Sequence, residues 1–206
     1  MRKLLFVFCA LASFVNIQAK SDIFTIKLGD PLILLQENKK AIFEIDYSQM
    51  IVTDSKHHEK DLPFREWMIT KDEENDKWTR DWEEEDSASC DQAFRESFNH
   101  EIKKGIRLSK IGKDYKVTMR IAMIDFGPAV RYIPPFGWSG GVAQASGELE
   151  VMDLNTGEAV LLIDFKDLKG EDSIKQIGRL KGIFENLGEK LNDFLKDYVR
   201  AAKKKK

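Results

Sequence analysis

Cysteine and histidine are scarce in this sequence, and each shortage closes off a class of chemistry. Two of the 206 residues are cysteine, Cys9 and Cys90. Cys9 lies inside an N-terminal apolar run that reads as a cleaved leader, so Cys90 is left alone and no intrachain disulfide can form. The core must hold the fold unaided. The three histidines are His57, His58 and His100. No H-E-x-x-H or C-x-x-C occurs, and adjacent histidines on an extended segment point to opposite faces. Neither a metal nor a cofactor is expected. Charge excess is missing too, with 33 basic against 35 acidic residues. Loss of Arg2 and Lys3 with the leader leaves 31 against 35, a formal charge of −4. That balance argues against nucleic acid as a partner. Beyond the leader no apolar run is long enough to cross a bilayer, so no transmembrane segment is expected in the mature chain.

What is present begins with that leader. Arg2 and Lys3 form a positive start, and Leu4 to Val15 is an apolar run of signal-peptide length. Ile17 and Ala19 occupy the −3 and −1 positions of a cut after Ala19. A large residue, Phe8, precedes Cys9 where a lipoprotein signal needs a small one. The reading is a signal peptide at 1–19, one domain at 20–206, and a periplasmic or secreted location.

Hydrophobic patterning sets the elements. "IFTIKL" (23–28) alternates as a strand, and so does "AIFEIDYSQMIV" (41–52), with Phe43, Ile45 and Tyr47 on one face. Residues 61–105 read as helical. Pro63 suits a first turn, and Cys90, Phe94, Phe98 and Ile102 recur at four-residue steps. Trp78 and Trp82 read as core anchors rather than a platform for sugar rings. "YKVTMRIAMIDFG" (115–127) is a strand. "VAQASGELEVMD" (142–153) and "AVLLIDF" (159–165) form a hairpin about the turn "LNTGE". A last helix, capped by Asp172 or Ser173, runs to about Ala201. Gly178 and Gly182 sit on or near its buried side, which predicts close backbone approach to the sheet. A strand–helix–strand crossover makes the strands near 41–52 and 115–126 parallel. The predicted fold is α/β (α+β): a two-layer sandwich of a mixed sheet with helices mainly on one face and a long C-terminal helix.

One motif invites an enzymatic reading. Gly137, Ser139 and Gly141 spell G-x-S-x-G. The nucleophile elbow needs a strand before the serine and a helix after it, with a histidine further along the chain. Here two prolines precede, a strand follows, and no histidine lies beyond residue 100. Ser139 therefore reads as spacing in a flexible glycine turn, and no catalytic residue is assigned. Two alternatives stay open: a hydrolase built on carboxylates such as Glu44, Asp46 or Asp125, and a membrane-inserting or pore-forming subunit.

Several segments together carry a resemblance: "AFRESFNHEIKKG", "YKVTMRIAMIDFG", "GELEVMDLNTGEAV" and "GRLKGIFENLGEKLNDFLKDYV". They resemble bacterial envelope domains related to the curli-secretion lipoprotein and TolB N-terminal-like families. Asp153, Thr156, Gly157 and Glu158 match a D-x-x-T-G-E-like hairpin. The resemblance implies a non-enzymatic α/β domain of the envelope that works by binding or assembly.

The connection "GPAVRYIPPFGWSGG" (127–141) is the odd surface. A hairpin link needs two to five residues and this one has about fifteen. It is apolar, not polar. Either it folds back over one end of the sandwich, or Tyr132, Phe136 and Trp138 anchor a protein partner or a second copy of the chain.

Overall fold

A computed structural model describes residues 22–54, 59–71, 77–127, 131–133, 137–139, 141–173 and 175–204. Its centre is strand β6 (Tyr115–Asp125), whose Val117, Met119 and Ile121 are buried and whose Lys116 and Arg120 point the other way. That period of two lets one face carry the core while the other meets water. On one side β6 pairs antiparallel with β9 (Gly141–Asp153), which pairs with β10 (Ala159–Ser173), which pairs with β1 (Phe24–Gly29). On the other side β6 pairs in parallel with β2 (Lys40–Asp46), as the crossover predicts, and β2 pairs with the short β5 (Arg107–Ser109). The result is a mixed, open sheet.

The segment 41–52 is two strands, not one. Asp46 accepts from the Ser48 amide at 2.8 Å and the Met50 amide reaches Tyr47 O at 3.1 Å, which turns the chain after β2. It then returns to β6 as β3 (Ile51–Asp54), further along the same edge, with Ile51 beside Met123. β3 folds back on β4 (Glu59–Pro63). Pro63 thus closes a strand and does not open a helix. Helices α1 (Phe64–Lys71), α2 (Lys77–Asp81) and α3 (Ser87–Glu101) follow, with a π-helical turn at Trp82–Asp86. Trp82 is buried edge-on to Tyr47 and Phe64, at 4.9 and 4.8 Å, and Trp78 packs on Trp67 at 5.2 Å. Trp82 belongs to the core, and the half-buried Trp78 packs against it.

The long helix α4 (Gln176–Lys204) completes the helical layer. Its start corrects the predicted cap: Asp172 and Ser173 still belong to β10, held by pairing with Val142 and Gly141. Tertiary pairing overrides the local capping preference there. α4 runs beside α3, where Ser97 Oγ donates to Glu185 O at 2.5 Å. It also lies on β10, and a Cβ placed on Gly182 would stand 2.8 Å from the Glu171 amide nitrogen. That is the close approach expected from the glycines. Phe94, Phe98, Phe165 and Phe184 fill the space between layers, and the buried residues form one contiguous cluster.

The opposite sheet face is charged. Lys27 pairs with Asp164 at 3.1 Å, Lys116 with Glu44 at 2.6 Å, and Arg120 with both Glu148 (2.6 Å) and Glu150 (3.1 Å). These cross-strand pairs occupy the positions that the alternation turns away from the core. Among the described residues no helix is long and apolar enough to cross a membrane.

Candidate functional site

The connection after β6 is built from a fixed base. Phe126 stacks on Trp67 of α1 at 4.9 Å, and the buried Arg179 of α4 donates to Phe126 O at 2.8 Å and to Ser173 O at 2.7 Å. Gly127 has φ +69°, and its amide donates to Asp125 at 2.8 Å. A side chain there would run into Val142 O. Glycine is thus required where the chain leaves the sheet.

Beyond the base the connection forms its own hairpin. Strands β7 (Arg131–Ile133) and β8 (Gly137–Ser139) pair antiparallel as a two-stranded sheet separate from the main one. The register sets Arg131 opposite Ser139, Tyr132 opposite Trp138, and Ile133 opposite Gly137. Two of the three residues singled out in the sequence therefore become direct partners. The third, Phe136, lies outside the described residues. Beside the base, Ile51, Met123 and Val142 are exposed apolar residues on the main sheet, and Ile51 and Met123 are register partners.

Ser139 is a strand residue, with Gly141 opening β9 two positions later. This corrects the flexible-turn reading, and a strand rather than a helix follows the serine. The other acidic candidates already have partners. Glu44 is held by Lys116, and Asp46 by Ser48, whose hydrogen bonds keep its carboxyl below the usual range. Asp125 is buried and accepts from Gly127. Glu150 and Glu148 together push the Arg120 guanidinium above its ordinary value through hydrogen bonds. These acids serve as ion-pair and turn partners. Cys90 is fully buried, and burial pushes its thiol up to about 12. His100 is exposed beside Glu101 at 3.0 Å, while His57 and His58 lie outside the described residues.

A second feature escaped sequence reasoning. Glu37, Asn38, Lys39, Lys40, Lys103, Lys104, Gly105 and Arg107 line a groove of about 360 Å³. In sequence these are two unremarkable lysine pairs more than sixty positions apart. The parallel pairing of Lys40 with Arg107 brings them together.

No family model matches the chain, and no curated protein does. Solved structures share a distant likeness. The PelC dodecamer of Paraburkholderia phytofirmans is 9% identical over 80% of this chain and 94% of its own, with a TM-score of 0.37. A Xanthomonas campestris protein of the DUF330 family is 8% identical over 88% and 95%, with a TM-score of 0.39. No residue assignment passes from these structures to the present chain.

Proposed function

We propose that this chain is a secreted cell-envelope protein that acts by binding or assembly and not by catalysis. Residues 1–19 serve as its leader, and 20–206 form the working domain. Residues 127–141 are its contact surface for a protein partner or a second copy. The observation that carries this reading is the separate two-stranded sheet, which brings Tyr132 and Trp138 opposite one another on an anchored base. A segment that merely linked β6 to β9 would need a few residues. This one is apolar and has pairing of its own. Aromatic residues on a fixed scaffold lose little entropy on binding, which suits them to anchor an interface.

The test is the double substitution Phe136→Ser, Trp138→Ser in the mature protein. Sedimentation velocity reports self-association, and affinity capture from envelope extracts followed by direct binding reports a partner. The expected result is at least a tenfold loss of association with the melting temperature unchanged. A melting temperature lowered by several degrees, with association intact, assigns the segment to the core and overturns the reading.

A further inference from the structure

The basic groove lies near the start of β6, and the hairpin, a sheet of its own, beyond its end, so the two are independent features. Its walls are fixed by backbone bonds. The Arg107 amide donates to Lys39 O at 2.8 Å, and the Ile106 amide to Leu34 O at 3.1 Å. Asn38 adopts φ +65° to turn the chain into Lys39 and Lys40. Gly105 packs so closely on Leu34 O that a side chain there would collide with it.

Five cations and one carboxylate, Glu37, line this groove in a chain whose formal net charge is −2. The cations differ in what they already hold. The Arg107 guanidinium caps the end of α3, donating to Asn99 O at 2.6 Å and Lys103 O at 3.1 Å. Lys39 pairs with Asp114 at 3.1 Å. Lys40, Lys103 and Lys104 are exposed and make no ion pair among the described residues. Five cations against the single lining carboxylate Glu37 leave an excess of positive charge that favours an anion from solution.

We infer that this groove binds a compact, multiply charged phosphate group, either of a soluble ligand or of a lipid headgroup. Its charged lining residues and modest volume suit a charged ligand rather than an apolar one. The choice of phosphate over carboxylate follows from the cations that remain free. A planar carboxylate is best matched by the arginine fork, and the one arginine here is committed to backbone carbonyls. Three ammonium groups act as point charges and serve the tetrahedral, divalent anion.

Isothermal titration calorimetry at low ionic strength tests this, with pyrophosphate as the probe and malonate as its planar comparison. The combined variant Lys40→Gln, Lys103→Gln, Lys104→Gln is expected to weaken pyrophosphate binding at least tenfold. A control that removes the same charge from α4, Lys181→Gln, Lys190→Gln, Lys196→Gln, should change it less than twofold. Equal losses in both variants assign the effect to net charge and overturn the site, as does wild-type protein that gives no binding. Malonate binding as tight as pyrophosphate overturns the phosphate assignment. Co-sedimentation with phosphatidic acid vesicles against phosphatidylcholine vesicles separates the sources. Groove-dependent sedimentation with the acidic vesicles supports a headgroup, and pyrophosphate binding without it supports a soluble ligand.

Discussion

At the scale of single residues the structure separates groups that can react from groups that only pack. Cys90 heads the apolar stripe of α3, is fully buried, and has its thiol raised to about 12 by that burial. The thiolate is the reactive form, so at pH 8 the native protein holds almost none of it. Native protein is expected to resist iodoacetamide for hours and to be alkylated within minutes in denaturant, as read by intact mass. Rapid labelling of the native state would show that the helix layer opens. The open sheet face presents the contrary case. Arg120 takes two carboxylates at once, and that sharing keeps Glu148 and Glu150 as structural partners.

Within elements, α4 carries the clearest contrast, because its glycines differ in what they meet. A Cβ on Gly182 would stand 2.8 Å from the Glu171 backbone nitrogen, and one on Gly188 2.8 Å from the Phe98 nitrogen. Neither neighbour can move without shifting a strand or a helix. At Gly178 the obstacle is the Ser173 hydroxyl, which can rotate. Alanine gains about 1 kcal/mol over glycine in a helix interior, and overpacking costs about 1–3 kcal/mol. Gly178→Ala should therefore be neutral or stabilising, and Gly182→Ala destabilising by about 1–2 kcal/mol, on urea denaturation. Equal effects at both positions would refute the close approach of α4 to β10. The glycine positions were legible in the sequence because the apolar period of α4 places them on its inner side. So was the stripe of α3 from Cys90 to Ile102. The break at Tyr47 was not, since apolar alternation runs on through 41–52 and the turn is made by local hydrogen bonds, Ser48 to Asp46 and Met50 to Tyr47. The start of α4 was misplaced for a related reason. Asp172 and Ser173 have capping chemistry, but strand pairing across to Gly141 decides their conformation. The groove was invisible because it is joined by topology alone.

For the molecule as a whole, acid stability follows from opposed carboxylates. Asp46, Asp114 and Asp153 are held below the ordinary range, chiefly by hydrogen bonds from the Ser48 side chain, the Lys40 amide and the Asn155 amide respectively. As pH falls the unfolded chain protonates first at these positions. Their stabilisation is present above the ordinary carboxylate value of about 3.9 and is lost as pH drops through their lowered values. Asp86 and Asp91 are raised by burial and work the other way. Their penalty is full at neutral pH and fades as pH falls through the raised values. The melting temperature should thus pass through a maximum on the acid side of neutrality. Asp86→Asn should raise it at pH 7, with the gain fading on acidification. Asp114→Asn should lower it at pH 7, with the difference vanishing below the lowered Asp114 value. A melting temperature of Asp86→Asn equal to wild type throughout would remove Asp86 from this account.

The register of β1 bears on timing. β9, β10 and α4 are consecutive in the chain and can assemble from near neighbours, whereas Phe24 pairs with Phe165 across most of the sequence. Closing so large a loop carries an entropic penalty that short-range contacts avoid. β1 therefore has no partner until β10 has been made. Until then β1 stays unpaired, and the chain passes through synthesis as a thread that has yet to complete its sheet.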